Sequence, residues 1–321
     1  MKRSFRFAPL VPLTLALFAA ALPPATEAAP LRRAHVAADA RWVLHLDLDS
    51  FRATQVGDTI VKGKLERDMN RIRADLKTYL GFDFDWTQIG GLTAYGVDFE
   101  TRRHPAGVLL LETTLDVRSA LETAVAKQAE AGVDGNVQRV EGAAVPTYMI
   151  RREYYAAVPP GKPVVIAKKR DLLDKGLAVL EGRSANLSSS QAFLGFPNTP
   201  PSFVFLGMAE GFADNAAQLP QARVFKNAEA GQVIVGEVGT RVFLTLNLRA
   251  RSAEAAAQMQ QVTQGLLALG ALNQSDNQDL MTLIQATKVT ANDAVVTLTV
   301  DLPAPTIVQK IQDKLRQESS R

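Results

Sequence analysis

The chain has 321 residues, with 36 basic and 33 acidic side chains and a formal charge of +3 at neutral pH. So small a charge gives no support to a nucleic-acid partner, because nucleic-acid binding needs a strongly basic surface. The chain has no cysteine, which excludes disulfide bonds, a thiol nucleophile, a thiolate metal site and a lipid-modified cysteine.

The first 28 residues have the composition of a secretory signal peptide. Three basic residues in the first six positions form a cationic head, and an apolar run broken by prolines extends to about Leu22. Cleavage is expected at Ala28, with Ala20–Ala21 as the alternative. No later apolar run reaches the roughly 18 residues of a membrane helix. We therefore predict an exported protein, periplasmic or extracellular, with no membrane span after leader removal.

The first predicted element is a strand over 42–49. Its even positions are Trp, Leu, Leu and Leu, and its odd positions are Val, His, Asp and Asp. A period of two is typical of a half-buried strand. We expect the even positions to face the core.

The chain from 58 to 182 alternates between helical and strand patterns. Apolar residues spaced by three and four predict an amphipathic helix over 58–80, which Gly81 ends. The next predicted elements are a hairpin of 92–97 and 107–111, a helix from Asp116 to Gly132, strands at 136–140, 146–151, 154–158 and 163–167, and a helix at 170–180.

A Ser- and Pro-rich stretch, 186–201, is predicted to connect two halves of the chain. The second half repeats the order of elements in the first. Its predicted elements are a strand at 202–208, a hairpin of 232–238 and 241–248, a helix from Ser252 to Gly270 with apolar positions 255, 259, 262, 266 and 269, a helix at 278–285, a hairpin through 288–302 and a helix from Pro305.

These patterns predict an α+β fold of two related units, each a mostly antiparallel sheet covered by helices. The signal peptide is 1–28, the first unit 38–185, the connector 186–201 and the second unit 202–321. The segments 109–115 and 242–248, with the helix starts that follow them, match at an offset of 133 residues. This match suggests an internal repeat, although a β-hairpin followed by a helix is also common in unrelated domains.

Three stretches carry a resemblance to a family of exported bacterial proteins without an assigned function. They are the strand start at 38–47, the segment Gly81–Gly96 and the strand and helix at 164–182. The resemblance covers most of the chain after the leader, and its motifs are strand starts, caps and turn glycines. It implies two αβ units and an envelope or extracellular location, and it carries over no catalytic residue.

The strongest candidate for chemistry is the set His45, Asp47 and Asp49. Alternation places the three on one strand face, roughly 6.5–7 Å apart. An imidazole and two carboxylates suit Zn, Mn or Fe. The structural alternative is a solvated or helix-covered strand face, with Asp49 capping the next helix.

Other catalytic patterns are weaker. Asp83 and Asp85 have the Asp-x-Asp spacing of metal-assisted sugar transfer, but Asp85 stands three residues before Gln88, as a helix cap does. The chain has no Gly-x-Ser-x-Gly motif and no phosphate-binding loop. We therefore assign no catalytic, cofactor-binding or metal residue and predict no cofactor.

Basic residues suggest an anionic partner. The predicted helix 58–80 has a local excess of positive charge, and further basic spots are 102–104, 151–152 and 168–170. Such residues can bind an anionic wall polymer or a membrane surface, but charged residues are also the ordinary outer face of surface helices.

The sequence therefore favours an exported, non-enzymatic binding, interaction or structural module of the cell envelope. Its partner is unknown; an envelope protein or an anionic wall polymer is compatible with the composition. The alternative function is a metal-dependent exported hydrolase that uses His45, Asp47 and Asp49.

Overall fold

The structure, a computed structural model, describes residues 30–80, 83–99, 106–130, 132, 135–197, 200, 202–212, 227–273 and 276–319. The predicted leader lies outside these residues. So do the helix stop at Gly81, part of the connector and the basic spot at 102–104.

The described residues form an α+β fold built on one sheet of twelve strands. The strands are β1 (Trp42–Asp47), β2 (Ile89–Gly96), β3 (Val108–Thr113), β4 (Val137–Arg139), β5 (Thr147–Ile150), β6 (Tyr154–Ala157), β7 (Val164–Ala167), β8 (Phe205–Glu210), β9 (Ala228–Val238), β10 (Arg241–Ala250), β11 (Thr287–Asn292) and β12 (Val295–Pro303).

All neighbouring strands in this sheet are antiparallel. Their order across the sheet is β11-β12-β10-β9-β8-β1-β2-β3-β7-β6-β5-β4. The β1–β8 pair lies near the middle and joins the first predicted unit to the second. The predicted α+β class with antiparallel pairing is confirmed.

Most of the predicted helices are present, but the predicted helix over 58–80 is divided, and three positions of the predicted apolar stripe in the helix that follows Ser252 are exposed: Val262, Leu266 and Leu269. The helices are α1 (Leu48–Ala53), α2 (Gln55–Ile60), α3 (Glu66–Leu80), α4 (Val117–Glu130), α5 (Arg170–Leu180), α6 (Ala253–Asn273), α7 (Gln278–Gln285) and α8 (Ala304–Ser319). A π-helical turn over Val61–Leu65 joins α2 to α3. Among the helices that the structure describes, none has the length and apolar character needed to cross a bilayer.

The sheet has two faces, which we name after residues of β1. The His45 face contains Val43, His45 and Asp47, and the Trp42 face contains Trp42 and the residues that alternate with these three. On the His45 face, helix α5 packs on β3, β6 and β7 in the largest core cluster. On the Trp42 face, α4 covers one end of the sheet and α6 covers the other.

The predicted orientation of β1 is wrong. Val43, His45 and Asp47 are buried, whereas Leu44, which was expected in the core, is 44% exposed. The odd positions are buried because the strands on both sides present core residues there: Val43 lies between Tyr95 and Met208. Positions 48 and 49, predicted as strand, belong to α1.

The predicted connector packs against the sheet over its described residues. Leu187 and Phe193 are buried in the core cluster of the His45 face. The Arg33 guanidinium donates hydrogen bonds to the carbonyls of Leu187 and Ala192. The sheet is continuous from β1 to β8. The predicted division into two units therefore does not coincide with a break in the sheet, and it stays a prediction.

The packing of the connector can be tested with two leucines of the same segment. Leu187→Ala removes a fully buried side chain and is expected to lower the free energy of unfolding by about 2–5 kcal/mol. Leu194→Ala is the control, because Leu194 is 46% exposed and its loss should change stability by about 0.5 kcal/mol or less. Urea denaturation measures both, and equal effects would contradict the described packing.

Candidate functional site

The first predicted site residue, His45, is part of the packed interior. Its Nδ1 atom lies 2.9 Å from the hydroxyl oxygen of Thr93 on β2, the residue paired with it in the sheet. Its ring meets the ring of Phe203 edge to face, with 5.9 Å between centroids. These contacts are those of a core histidine with a hydrogen-bond partner.

The two aspartates have separate structural partners. Asp47 is the N-cap of α1, where its carboxylate accepts hydrogen bonds from the amide and the hydroxyl of Ser50, both at 2.8 Å. Asp49 lies in the first turn of α1 and pairs with Arg52. Within the described ranges, no three His, Cys, Asp or Glu residues are grouped as a metal site would require. The structure therefore does not bring His45, Asp47 and Asp49 together as the sequence suggested.

The Asp-x-Asp pair also has structural roles. Asp85 caps the short 3-10 turn Trp86–Gln88 as predicted, because its carboxylate accepts hydrogen bonds from the hydroxyl and the amide of Thr87. These bonds lower the pKa of Asp85. Asp83 accepts a hydrogen bond of 2.6 Å from Arg73 on α3, which lowers the pKa of Asp83.

Several cations of the predicted anion-binding surface are engaged within the chain. Lys62 pairs with Asp58 one helical turn away, and Arg73 pairs with Asp83. Lys168 pairs with Glu153 and lies over the ring of Tyr154. Binding of these cations to an anionic polymer stays a prediction.

Two titratable groups near the His45 face have shifted pKa values. His35 Nδ1 lies 3.7 Å from Glu112 Oε1, and the His35 imidazole is the main cause that lowers the pKa of Glu112. Burial raises the pKa of Tyr95, and the charge of Asp39 adds to the rise. Tyr95 belongs to the core cluster of the His45 face, and neither group lines the groove described next.

An open groove of about 630 Å³ lies on the Trp42 face. It lies between the regions that α4 and α6 cover, above β1, β8, β9 and β10. Its lining residues are Trp42, Leu44, Asp98, Phe99, Phe205, Gly207, Met208, Ala209, Phe212, Gly231, Val233, Leu246 and Leu248.

The groove exists because small residues stand where the strands bring their side chains together. Gly207 pairs with Leu44 on one side and with Val233 on the other, and Gly231 pairs with Ala209. A methyl group added at Gly207 or Gly231 would meet the surrounding side chains at 3.4 Å, which is ordinary contact. The small residues therefore form a floor, and the larger apolar side chains around them form the walls.

Polar groups at the groove are few and already engaged. The indole nitrogen of Trp42 donates a hydrogen bond of 3.0 Å to the carbonyl oxygen of Asp98. At one end, the Arg41 guanidinium lies over the ring of Phe99, at 5.4 Å from its centroid, and donates to the carbonyl of Gly211. Among the described lining residues, Asp98 is the one with an ionisable side chain. The other described lining residues are apolar or glycine.

Sequence reasoning missed this groove because it assigned the Trp42 face of β1 to the core. A usable signal was present. Large apolar residues at 42, 44, 205 and 233 share a face with small residues at 207, 209 and 231. This pattern indicates a depression only once the pairing of β1 with β8 is known.

No protein-family model and no curated protein matches this chain. Among solved structures, the chain is similar to TP0453 in crystal form III, with 11% identity, a TM-score of 0.47 and coverage of 87% of this chain and 97% of that chain. The comparison with crystal form I of TP0453 gives 9% identity, a TM-score of 0.45 and coverage of 89% and 99%. Similarity at this level carries no argument about function.

The different roles of the two aspartates predict different costs of substitution. Asp47→Ala removes the N-cap of α1 and is expected to lower the free energy of unfolding by about 1–2 kcal/mol. Asp49→Ala removes a pair within one turn of the same helix, and a smaller loss is expected. Thermal unfolding with and without Zn²⁺ measures both effects. A stabilisation of the wild type by Zn²⁺ that disappears in both variants would contradict these structural roles.

The lowered pKa of Glu112 predicts a pH-dependent contribution to stability. The ionised form is favoured in the folded state, so its contribution is present above the ordinary pKa of 4.5 and is lost as the pH falls through the lower folded value. Glu112→Gln should therefore lower the melting temperature at pH ~5.5, where an imidazole is ordinarily protonated, and have little effect at pH ~3. The control is Glu130→Gln, at an exposed position on α4. A deficit that is equal at both pH values would contradict the electrostatic role.

Proposed function

We propose that this protein is an exported, non-enzymatic binding protein of the cell envelope that holds an apolar chain in the groove of the Trp42 face. The observation that carries the proposal is the groove itself, which is concave, open and lined almost entirely by apolar side chains. Exposed apolar surface of this kind marks binding sites in soluble domains.

The shape of the groove favours a small ligand with a hydrocarbon part. Its volume of about 630 Å³ is within the range of small-molecule sites, roughly 300–1,000 Å³. The indole N–H of Trp42 already donates to the carbonyl oxygen of Asp98. Ligand binding would therefore depend on contact with the apolar surface of the groove and not on new hydrogen bonds. The leader-like first 28 residues support export to the periplasm or the extracellular space.

The proposal includes two related halves. The strand order is mirrored about the β1–β8 pair, since β1-β2-β3-β7-β6 on one side corresponds to β8-β9-β10-β12-β11 on the other. In both halves the helix that follows the third of these strands, α4 or α6, packs on the Trp42 face. The offset of 133 residues between 109–115 and 242–248 supports the same correspondence.

Ligand binding in the groove can be tested by titrating the protein with a fluorescent fatty acid and competing with unlabelled hexadecanol. Leu44→Gln introduces a polar group into the wall and is expected to raise the dissociation constant about tenfold. The matched control is Leu244→Gln, because Leu244 is 37% exposed on the same face but does not line the groove.

A second variant tests the floor of the groove. Gly207→Leu adds a side chain to the space above β8 and should abolish binding, and its melting temperature is measured in parallel to establish that the variant is folded. The proposal is wrong if the wild type shows no saturable binding, or if Leu44→Gln and Leu244→Gln weaken it equally.

A further inference from the structure

One end of the groove is formed where β1 begins. Strands β2 and β8 both run antiparallel to β1, so both of them end beside its start. The segments that follow these two strands therefore leave the sheet on either side of Arg41, the residue before β1. One segment contains Phe99 and the other contains Phe212, and both rings line the groove.

Arg41 is held at this end by contacts to both segments. Its guanidinium lies over the ring of Phe99, 5.4 Å from the centroid, and its Nη2 atom donates a hydrogen bond of 2.9 Å to the carbonyl oxygen of Gly211. That bond uses one of the five N–H donors of the guanidinium, and the side chain is exposed. The cation is therefore fixed in place with donors left for another group.

The charge of Arg41 has no carboxylate partner in the described part of the chain. Three other cations lie over aromatic rings, and each of them pairs with a carboxylate: Arg52 with Asp49, Lys168 with Glu153, and Arg249 with Glu210. Arg41 contacts a ring and a neutral carbonyl instead. A stacked guanidinium without a counter-ion is suited to an oxyanion of a ligand, because its N–H groups match carboxylate and phosphate oxygens.

Asp98 is the opposite charge at the groove. Its carbonyl oxygen accepts the hydrogen bond of the Trp42 indole. A carboxylate there favours a cationic head group, whereas the guanidinium of Arg41 favours an anionic one. Arg41 is already ordered by its two contacts, so it loses little conformational entropy when it binds a ligand. This difference favours the anion.

We propose that the apolar ligand of the groove has an oxyanion head group, a carboxylate or a phosphate, that binds to Arg41. This inference rests on the proposed function, because it names the head group of the ligand whose hydrocarbon part the groove holds. The apolar lining provides the contact for the hydrocarbon part. The head group lies at the end of the groove and selects among ligands of equal chain length.

Displacement of the uncharged probe N-phenyl-1-naphthylamine tests the inference with ligands that share a dodecyl chain. They are dodecanoate, dodecyl phosphate, dodecanol and dodecylammonium. At pH ~8 the carboxylic acid is ionised. Because Arg41 is exposed, the wild type should bind at least one of the anions about fivefold more tightly than dodecanol. Salt at about 1 M should reduce this preference, and the preferred anion identifies the head group.

Variants of Arg41 separate its charge from the shape of the groove. Arg41→Gln should remove the preference for anions and leave the dissociation constant of dodecanol unchanged. Arg41→Lys retains the charge and should retain part of the preference. The matched control is Arg249→Gln. Arg249 also lies over a phenylalanine ring and donates to a backbone carbonyl, but that ring, Phe196, is not part of the groove lining. This control should keep the full preference.

The failure of this inference is distinguishable from the failure of the proposed function. Saturable binding of dodecanol with no preference for either anion would overturn the inference and leave the groove as an apolar site. An anion preference that persists in Arg41→Gln, a loss of dodecanol binding in that variant, or a preference for dodecylammonium would also overturn it. If neither the probe nor any of the ligands binds, the proposed function fails and the inference fails with it.

Discussion

The two backbone ladders of β1 hold together parts of the chain that are far apart in sequence. Leu44 is paired with Ala94 on one side and with Gly207 on the other. A slip of one residue in either ladder would exchange the two faces of the strand. The register of β1 therefore determines both which of its side chains are buried and where the glycine of β8 opens the groove.

This register places two polar side chains of β1, those of His45 and Asp47, on the buried face beside Val43. The His45 imidazole lies beside the Thr93 hydroxyl. Further along the same face, the side-chain amide of Asn247 donates a hydrogen bond to Gln232 and accepts one from the Thr297 hydroxyl, both at 2.8 Å. Buried polar groups are tolerated when they have such partners. In the proposed function, a ligand covers the apolar residues that line the groove at the centre of the Trp42 face.

The sequence by itself determined the type of most elements and many of their ends. Asp116 and Ser252 cap helices as predicted, and Gly239 forms the turn between β9 and β10. Caps and turns depend on hydrogen bonds and backbone angles within about four residues, so they can be recognised locally. The tertiary structure alone decided which face of β1 is buried. Alternation marks two faces, but the partner that satisfies His45 lies 48 residues away on another strand. The groove was likewise invisible in the sequence, because its floor and walls come from strands whose pairing only the folded sheet defines.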